Sequence, residues 1–182
     1  MQDITFITGN EKKAEYLVKY LEFPVKHQKL ELDEIQSLDL KTIVEHKVRQ
    51  AYEKIKSAVL VEDVSLEFEG LNGLPGPFIK FFIDEVPFES ICAMIGENRN
   101  ATARCVFGFY DGTELKFFEG RLPGTIARTP AGDKGFGFDT FFIPQGYDVT
   151  RAQMSEEDDQ KTYTQMKPFA EVREFLNMKA SA

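Results

Sequence analysis

The pattern of apolar and polar positions changes period along this chain. Ile4–Ile7 is a continuous apolar or β-branched run that predicts a buried strand. Ala14, Leu17, Val18 and Leu21 then recur at helical spacing, and Asn10 suits the N-cap of a helix over 11–22. The stretch around Leu30–Leu38 is acidic and carries no clear period. Asp39 suits the cap of a second helix, with an apolar stripe at Leu40, Val44, Val48, Ala51 and Ile55. Val59-Leu60-Val61 predicts a short buried strand that ends at Glu62-Asp63. The turn-rich stretch "EGLNGLPGPF" follows, and Pro87 fits the first turn of a helix burying Phe88, Ile91, Cys92 and Ile95.

From Ala101 the period falls to two. Ala101, Ala103, Cys105, Phe107 and Phe109 alternate with Thr102, Arg104 and Tyr110. Asp111-Gly112 signals a hairpin, with Glu114–Glu119 as the return strand. One or two further strands are expected between Gly120 and Phe142. Ser155 and Asp158 resemble a capping box, and a last helix over 168–179 buries Phe169, Val172 and Leu176. Strand–helix alternation followed by antiparallel ribbons indicates an α/β fold built on a mixed sheet.

Composition narrows the function. The 182 residues are enough for one substantial domain, or a two-lobed one. The formal charge of −8 lacks the basic footprint of a duplex binder, so no nucleic-acid partner is expected. An acidic chain that handles anions needs local lysines or a metal ion to overcome its own field. Cys92 and Cys105 lack metal-ligand spacing and read as reduced thiols. With no leader-like start and no run of roughly 20 apolar residues, a cytoplasmic protein without a membrane partner is expected.

Four clusters can carry chemistry. The corner Thr8-Gly9-Asn10 with Lys13 puts a helix N-terminus, side-chain hydrogen-bonding groups and a cation together, as phosphate binding needs. An ordinary capped helix with surface lysines explains the same residues. Glu62-Asp63, beside Glu31, Asp33 and Glu34, offers converging carboxylates of the kind that suit Mg²⁺. A solvated strand end is the bland alternative. "GDKGFGFD", Gly132 to Asp139, alternates glycines with Phe136 and Phe138 ahead of a carboxylate, a flat slot in which a nucleobase can stack. It reads equally as a glycine-rich turn entering a strand Asp139–Ile143. The stretch "DDQKTYTQMKPF" reads as a solvated helix or turn.

In this order the clusters resemble the inosine triphosphate pyrophosphatase family. The family's T/S-G-N-x-x-K is present as Thr8-Gly9-Asn10-Glu11-Lys12-Lys13. Its Glu-Asp strand and Gly-Leu-Pro-Gly loop match "VLVEDVSLEFEGLNGLPGPFIKFF", and its F-G-W/Y-D matches Phe136-Gly137-Phe138-Asp139. The resemblance covers nearly the whole chain. It implies a long mixed twisted sheet with flanking helices, in one domain whose two lobes surround a central nucleotide-binding cleft, and a homodimer. The implied reaction is Mg²⁺-dependent hydrolysis of deaminated purine nucleoside triphosphates, such as those of inosine and xanthosine, to monophosphate and pyrophosphate. It also implies that Thr8, Gly9, Asn10, Lys13, Lys47 and Lys80 hold the triphosphate. Glu34 and Asp63 hold the metal, Asp63 also activates the attacking water, and Phe136, Gly137, Phe138 and Asp139 take the base.

The chain departs from the family at K-x-x-x-S-H-R, whose Lys, His and Arg contact the nucleotide. Aligned without a gap, it has Gln160 and then Thr164-Gln165-Met166. Gln160, Gln165 and Met166 thus occupy base-facing positions without the cations, and Lys161 and Lys167 stand as rival replacements. The departure leaves a second reading, a nucleotide-binding protein of the same fold with weak turnover or altered base preference. A structural interaction module has little support, because every polar motif points to one ligand.

Overall fold

The computed structural model describes residues 4–181, which form seven β-strands and six α-helices. The strands are β1 (Thr5–Ile7), β2 (Lys26–Gln28), β3 (Val59–Phe68), β4 (Pro75–Gly76), β5 (Asn100–Tyr110), β6 (Leu115–Ile126) and β7 (Phe142–Pro144). The helices are α1 (Glu11–Leu21), α2 (Leu40–Ile55), α3 (Ile79–Glu85), α4 (Phe88–Ile95), α5 (Glu156–Met166) and α6 (Phe169–Ser181). The sheet order is β2-β1-β3-β5-β6-β7, with β4 paired to β3. It is mixed: β1 runs parallel to β2 and β3, whereas β3–β4 and β6–β7 are antiparallel.

The chain divides into two compact units. One takes the chain up to Asp63, Cys105–Glu119 and everything from Pro168 on; the other takes Val64–Arg104 and Gly120–Lys167. In the first, Leu40, Val44, Val48 and Ala51 of α2 pack on Ile7, Val59, Val61 and Val106. Gly108 makes that close approach possible, since a Cβ there would collide with the Val44 side chain. Successive strand residues project to opposite faces. Phe107 and Phe109 therefore meet Phe169 and Phe175 of α6, with ring centroids 5.6 and 5.0 Å apart, and α1 packs beside α6. In the second unit Phe138, Phe141 and Phe142 are buried; the Phe88 and Phe141 rings lie 5.3 Å apart and those of Phe138 and Phe142 5.9 Å.

Several boundaries differ from the expected ones. β3 does not end at Glu62-Asp63 but continues to Phe68, because Ser65, Leu66 and Phe68 keep finding buried positions. The expected extra strands after Gly120 are mainly the continuation of β6 to Ile126. The strand expected from Asp139 begins at Phe142, since Gly137–Thr140 close a 3-10 turn. The edge strand β2 and the short helix α3 lie where no element was expected.

Candidate functional site

The opening corner is built by its own side chains. Asn10 Oδ1 accepts the Lys13 N–H at 3.2 Å, and Thr8 Oγ1 accepts the Asn10 N–H at 3.1 Å. β2 holds the corner from the side: the Thr8 N–H donates to the Gln28 carbonyl at 3.3 Å, and His27 Nε2 lies 3.0 Å from the Thr8 carbonyl. Gly9 and Asn10 are exposed. The first turn of α1 therefore opens outward on a fixed backbone, the arrangement that presents unpaired N–H groups to an anion.

Glu62 and Asp63 follow the alternation of β3. Glu62 is buried and meets Lys13 of α1 at 3.3 Å. Asp63 meets Lys47 of α2, whose Nζ lies 2.8 Å from Asp63 Oδ2 and 2.8 Å from Glu34 Oε1. The irregular segment that carries Glu34 is pinned along α2 by residues about one turn apart. Lys54 donates to the Glu31 carbonyl, Gln50 Oε1 accepts the Asp33 N–H at 3.0 Å, and Lys47 holds Glu34. Glu31 and Asp33 thus contribute backbone here, and Glu34 alone of the three contributes its carboxylate to Lys47.

Lys47 stays charged. Burial pulls its pKa down, but the Asp63 and Glu34 carboxylates outweigh burial and hold it above the ordinary lysine value. Two carboxylates gathered on one cation provide hard oxygen donors, the chemistry a divalent ion of the Mg²⁺ type takes up with water and phosphate oxygens. Among the described residues no cluster of three or more His, Cys, Asp or Glu forms a self-sufficient metal cage.

The second unit builds the other cluster. Gly135 (φ +74°) turns the chain so that Asp139 Oδ2 accepts the Phe136 N–H at 2.9 Å, and a side chain at Gly135 would collide with that carboxylate. Phe138 is buried against Phe142, so of the two rings Phe136, half-buried, is the more open. Asp139 is buried, and its Oδ1 accepts from Arg151 Nη1 at 3.1 Å; Arg151 Nη2 reaches Asp159 Oδ1 at 2.7 Å. Burial raises the Asp139 pKa above the usual carboxylate range, and the Arg151 guanidinium, the Phe136 N–H and Lys167 oppose it.

The remaining expected residues fall into distinct places. Lys80 is exposed in the first turn of α3, in the second unit. Gln160, Lys161 and Gln165 are exposed on α5, and Thr164 spends its hydroxyl on the Gln160 carbonyl at 2.9 Å. Met166 is buried. Of the two rival lysines, Lys167 is the buried one, with its ammonium 4.7 Å from the centre of the Tyr163 ring. Sequence reasoning missed Arg151 and Asp159. A single arginine in "GYDVTRAQM" gives no periodic signal, and only the fold brings it to Asp139.

The comparisons agree with this architecture. The model of the Ham1 family matches residues 4–175. The chain is 34% identical over 182 residues to the inosine triphosphate pyrophosphatase of Schizosaccharomyces pombe, covering 97% of this chain and 96% of that protein. Over 161 residues it is 40% identical to inosine triphosphate pyrophosphatase 2 of Trypanosoma cruzi, covering 85% of this chain and 82% of the relative. The solved Ham1 protein of Staphylococcus aureus has the same fold, with a TM-score of 0.80 at 23% identity over 97% of this chain and 100% of that one. Fold and sequence agree from end to end: the chain belongs to the Ham1 family.

Proposed function

We propose that this protein is a Mg²⁺-dependent nucleoside triphosphate pyrophosphatase that converts deaminated purine nucleoside triphosphates to monophosphate and pyrophosphate. The observation that carries the reading is the Lys47 ammonium held between Glu34 and Asp63. The family's curated relatives named inosine triphosphate pyrophosphatases support the substrate class. Glu34 and Asp63 would hold the metal, which would supply positive charge to neutralise the phosphates. Asp63 accepts the proton of the attacking water. Lys13 and Lys47 carry fixed positive charge toward the phosphate oxygens, assisted by Lys80, and the first turn of α1, which opens from the Thr8–Gly9–Asn10 corner, supplies backbone donors. Positioning and charge neutralisation provide most of the rate in such a displacement. Phe136 stacks on the base and Gly137–Asp139 read its edge.

A homodimer in the cytoplasm is the working form we infer. Cys92 and Cys105 form no disulfide, which suits a reducing compartment. Among the described residues no helix is long and apolar enough to cross a membrane.

The test is pyrophosphate release across inosine, xanthosine, deoxyinosine, adenosine and guanosine triphosphates, with and without chelator. The expected result is fastest release from the 6-oxopurines, loss on chelation and recovery with Mg²⁺. Diphosphate plus orthophosphate as products would overturn the reading.

A further inference from the structure

We propose that Arg151 is the positioning residue of the base pocket, holding Asp139 as an oriented acceptor in place of the cations absent from α5. This rests on the base-pocket reading above and adds the residue on which its selectivity depends.

Geometry carries the inference. Arg151 is buried in the 3-10 turn Arg151–Gln153 and forks between Asp139 at 3.1 Å and Asp159 at 2.7 Å. Its guanidinium carbon lies 5.1 Å from the centre of the Tyr163 ring. Its Nε is buried without a hydrogen-bond partner among the described residues, so that N–H is left unused. A buried ion pair is weak evidence for stability, because well-packed apolar side chains commonly do as well. Charge retained at such cost beside a predicted binding loop points to the loop's function.

Both Asp139 oxygens are already fixed, Oδ2 by the Phe136 N–H and Oδ1 by Arg151. On α5 Gln160, Lys161 and Gln165 are exposed and Met166 is buried and apolar, whereas Arg151 hydrogen-bonds Asp139 directly. The charged groups acting on Asp139 are Arg151, Asp159 and Lys167, and α3, which also packs on the 3-10 turn at Gly137–Thr140, presents Lys80, Asp84 and Glu85 exposed. Burial and Asp159 push Asp139 toward its neutral form; Arg151 and Lys167 push back. The outcome matters for the base. An ionised carboxylate only accepts hydrogen bonds, whereas a protonated one also donates. A 6-oxopurine carries N1–H, and a 6-aminopurine presents a bare N1 acceptor. Arg151, by opposing the rise, favours the ionised acceptor that matches 6-oxopurines.

The experiment is steady-state pyrophosphate release from inosine and adenosine triphosphates, from mildly acidic to mildly alkaline pH. The variants are Arg151→Met, Arg151→Lys, Asp139→Asn and the Arg151→Met/Asp139→Asn pair. Arg151→Met is expected to raise KM for inosine triphosphate about tenfold or more, with a smaller change in kcat. It should narrow the inosine-to-adenosine ratio and move the acid limb of kcat/KM to higher pH, with Arg151→Lys recovering part of each. In the Asp139→Asn background Arg151→Met should narrow the ratio no further. Equal losses on both nucleotides with an unmoved acid limb would overturn the proposal. If Arg151→Met does not fold, the same two readouts on Arg151→Lys decide. Asp139→Asn losing selectivity while the Arg151 variants keep it would sink the role of Arg151 alone. Wild-type selectivity in Asp139→Asn would sink the base-pocket reading as well.

Discussion

Lys47 Nζ lies 2.8 Å from Asp63 Oδ2, although the two residues belong to different elements, α2 and β3. The pair is largely buried, with side-chain exposures of 16% and 19%, whereas Glu34 on the same ammonium is 65% exposed. Asp63 is therefore the fixed partner and Glu34 the one that solvent reaches. Asp63→Asn is nearly isosteric but removes the charge that holds Lys47 and that, in the proposed function, receives a proton. It should lower kcat by roughly 10²–10⁴-fold, as measured by pyrophosphate release, while circular dichroism stays native. Glu34→Gln should cost less in turnover and instead raise the Mg²⁺ concentration needed for half-maximal rate. Wild-type turnover in Asp63→Asn would remove it from the chemistry.

Lys13 faces a buried carboxylate as well. Its ammonium lies 3.3 Å from Glu62 while its backbone N–H is bound by the Asn10 cap. One end of the residue fixes the helix start and the other carries charge. Lys13→Ala should lose about 3 kcal/mol of transition-state stabilisation, the scale of one preorganised donor, read as a drop in kcat/KM. Asn10→Ala should act on stability, by about 1 kcal/mol for a lost cap, read as a lower thermal midpoint. If the two variants exchanged these effects, the corner would not be a cradle.

Much of this was legible in the residues. Asn10 and Asp39 announced the starts of α1 and α2, because a cap is a local device that needs no tertiary partner. The α2 stripe is equally local, since four buried residues of one helix face define it. β2 was invisible, because Lys26, His27 and Gln28 are all exposed on an edge strand and carry no apolar alternation. The length of β3 was hidden by Glu62 and Asp63, which look like a strand end but sit within it. β6 was expected to end at Glu119, with further strands beyond Gly120, whereas it runs on to Ile126. Pro123 lies just before the Gly124–Ile126 stretch paired with β7, and its carbonyl still accepts the Gln145 N–H at 2.9 Å. Arg151 needed the fold, because its partners Asp139 and Asp159 stand 12 and 8 positions away in the chain.

Stability should depend on pH through the hairpin at Asp111. Its Oδ1 accepts the N–H groups of Thr113 at 2.9 Å and Glu114 at 2.8 Å, and its Oδ2 receives Lys179 of α6 at 2.9 Å. Burial pushes the Asp111 pKa up, but these donors and Lys179 outweigh it and hold the value below the ordinary range. A lowered carboxylate pKa means that the folded state binds its proton more weakly than the unfolded state. The stabilisation is then full above the ordinary Asp value and fades as pH falls through the folded value. Asp111→Asn should lower the thermal midpoint at neutral pH, and the gap from wild type should close in acid. A gap constant with pH would mean that packing, and not charge, holds the hairpin to α6.

Restoring the family's residues on α5 tests where the base is read. Gln165 is exposed and Met166 is buried, so the two positions differ in what they can accept. Gln165→His adds a titratable donor on an exposed helix face and should fold normally, within about 0.5 kcal/mol of wild type. Because that face is open, it should leave the inosine-to-adenosine ratio of kcat/KM nearly unchanged. Met166→Arg puts a guanidinium at a buried, apolar position and should cost about 3–5 kcal/mol, seen as a large fall in thermal midpoint. The double variant should therefore lose stability before it gains selectivity. A stable double variant with a steeper inosine preference would show that α5 turns these positions toward the base when nucleotide binds. Selectivity would then rest on α5 together with Asp139, and the Arg151 variants would change it only in part.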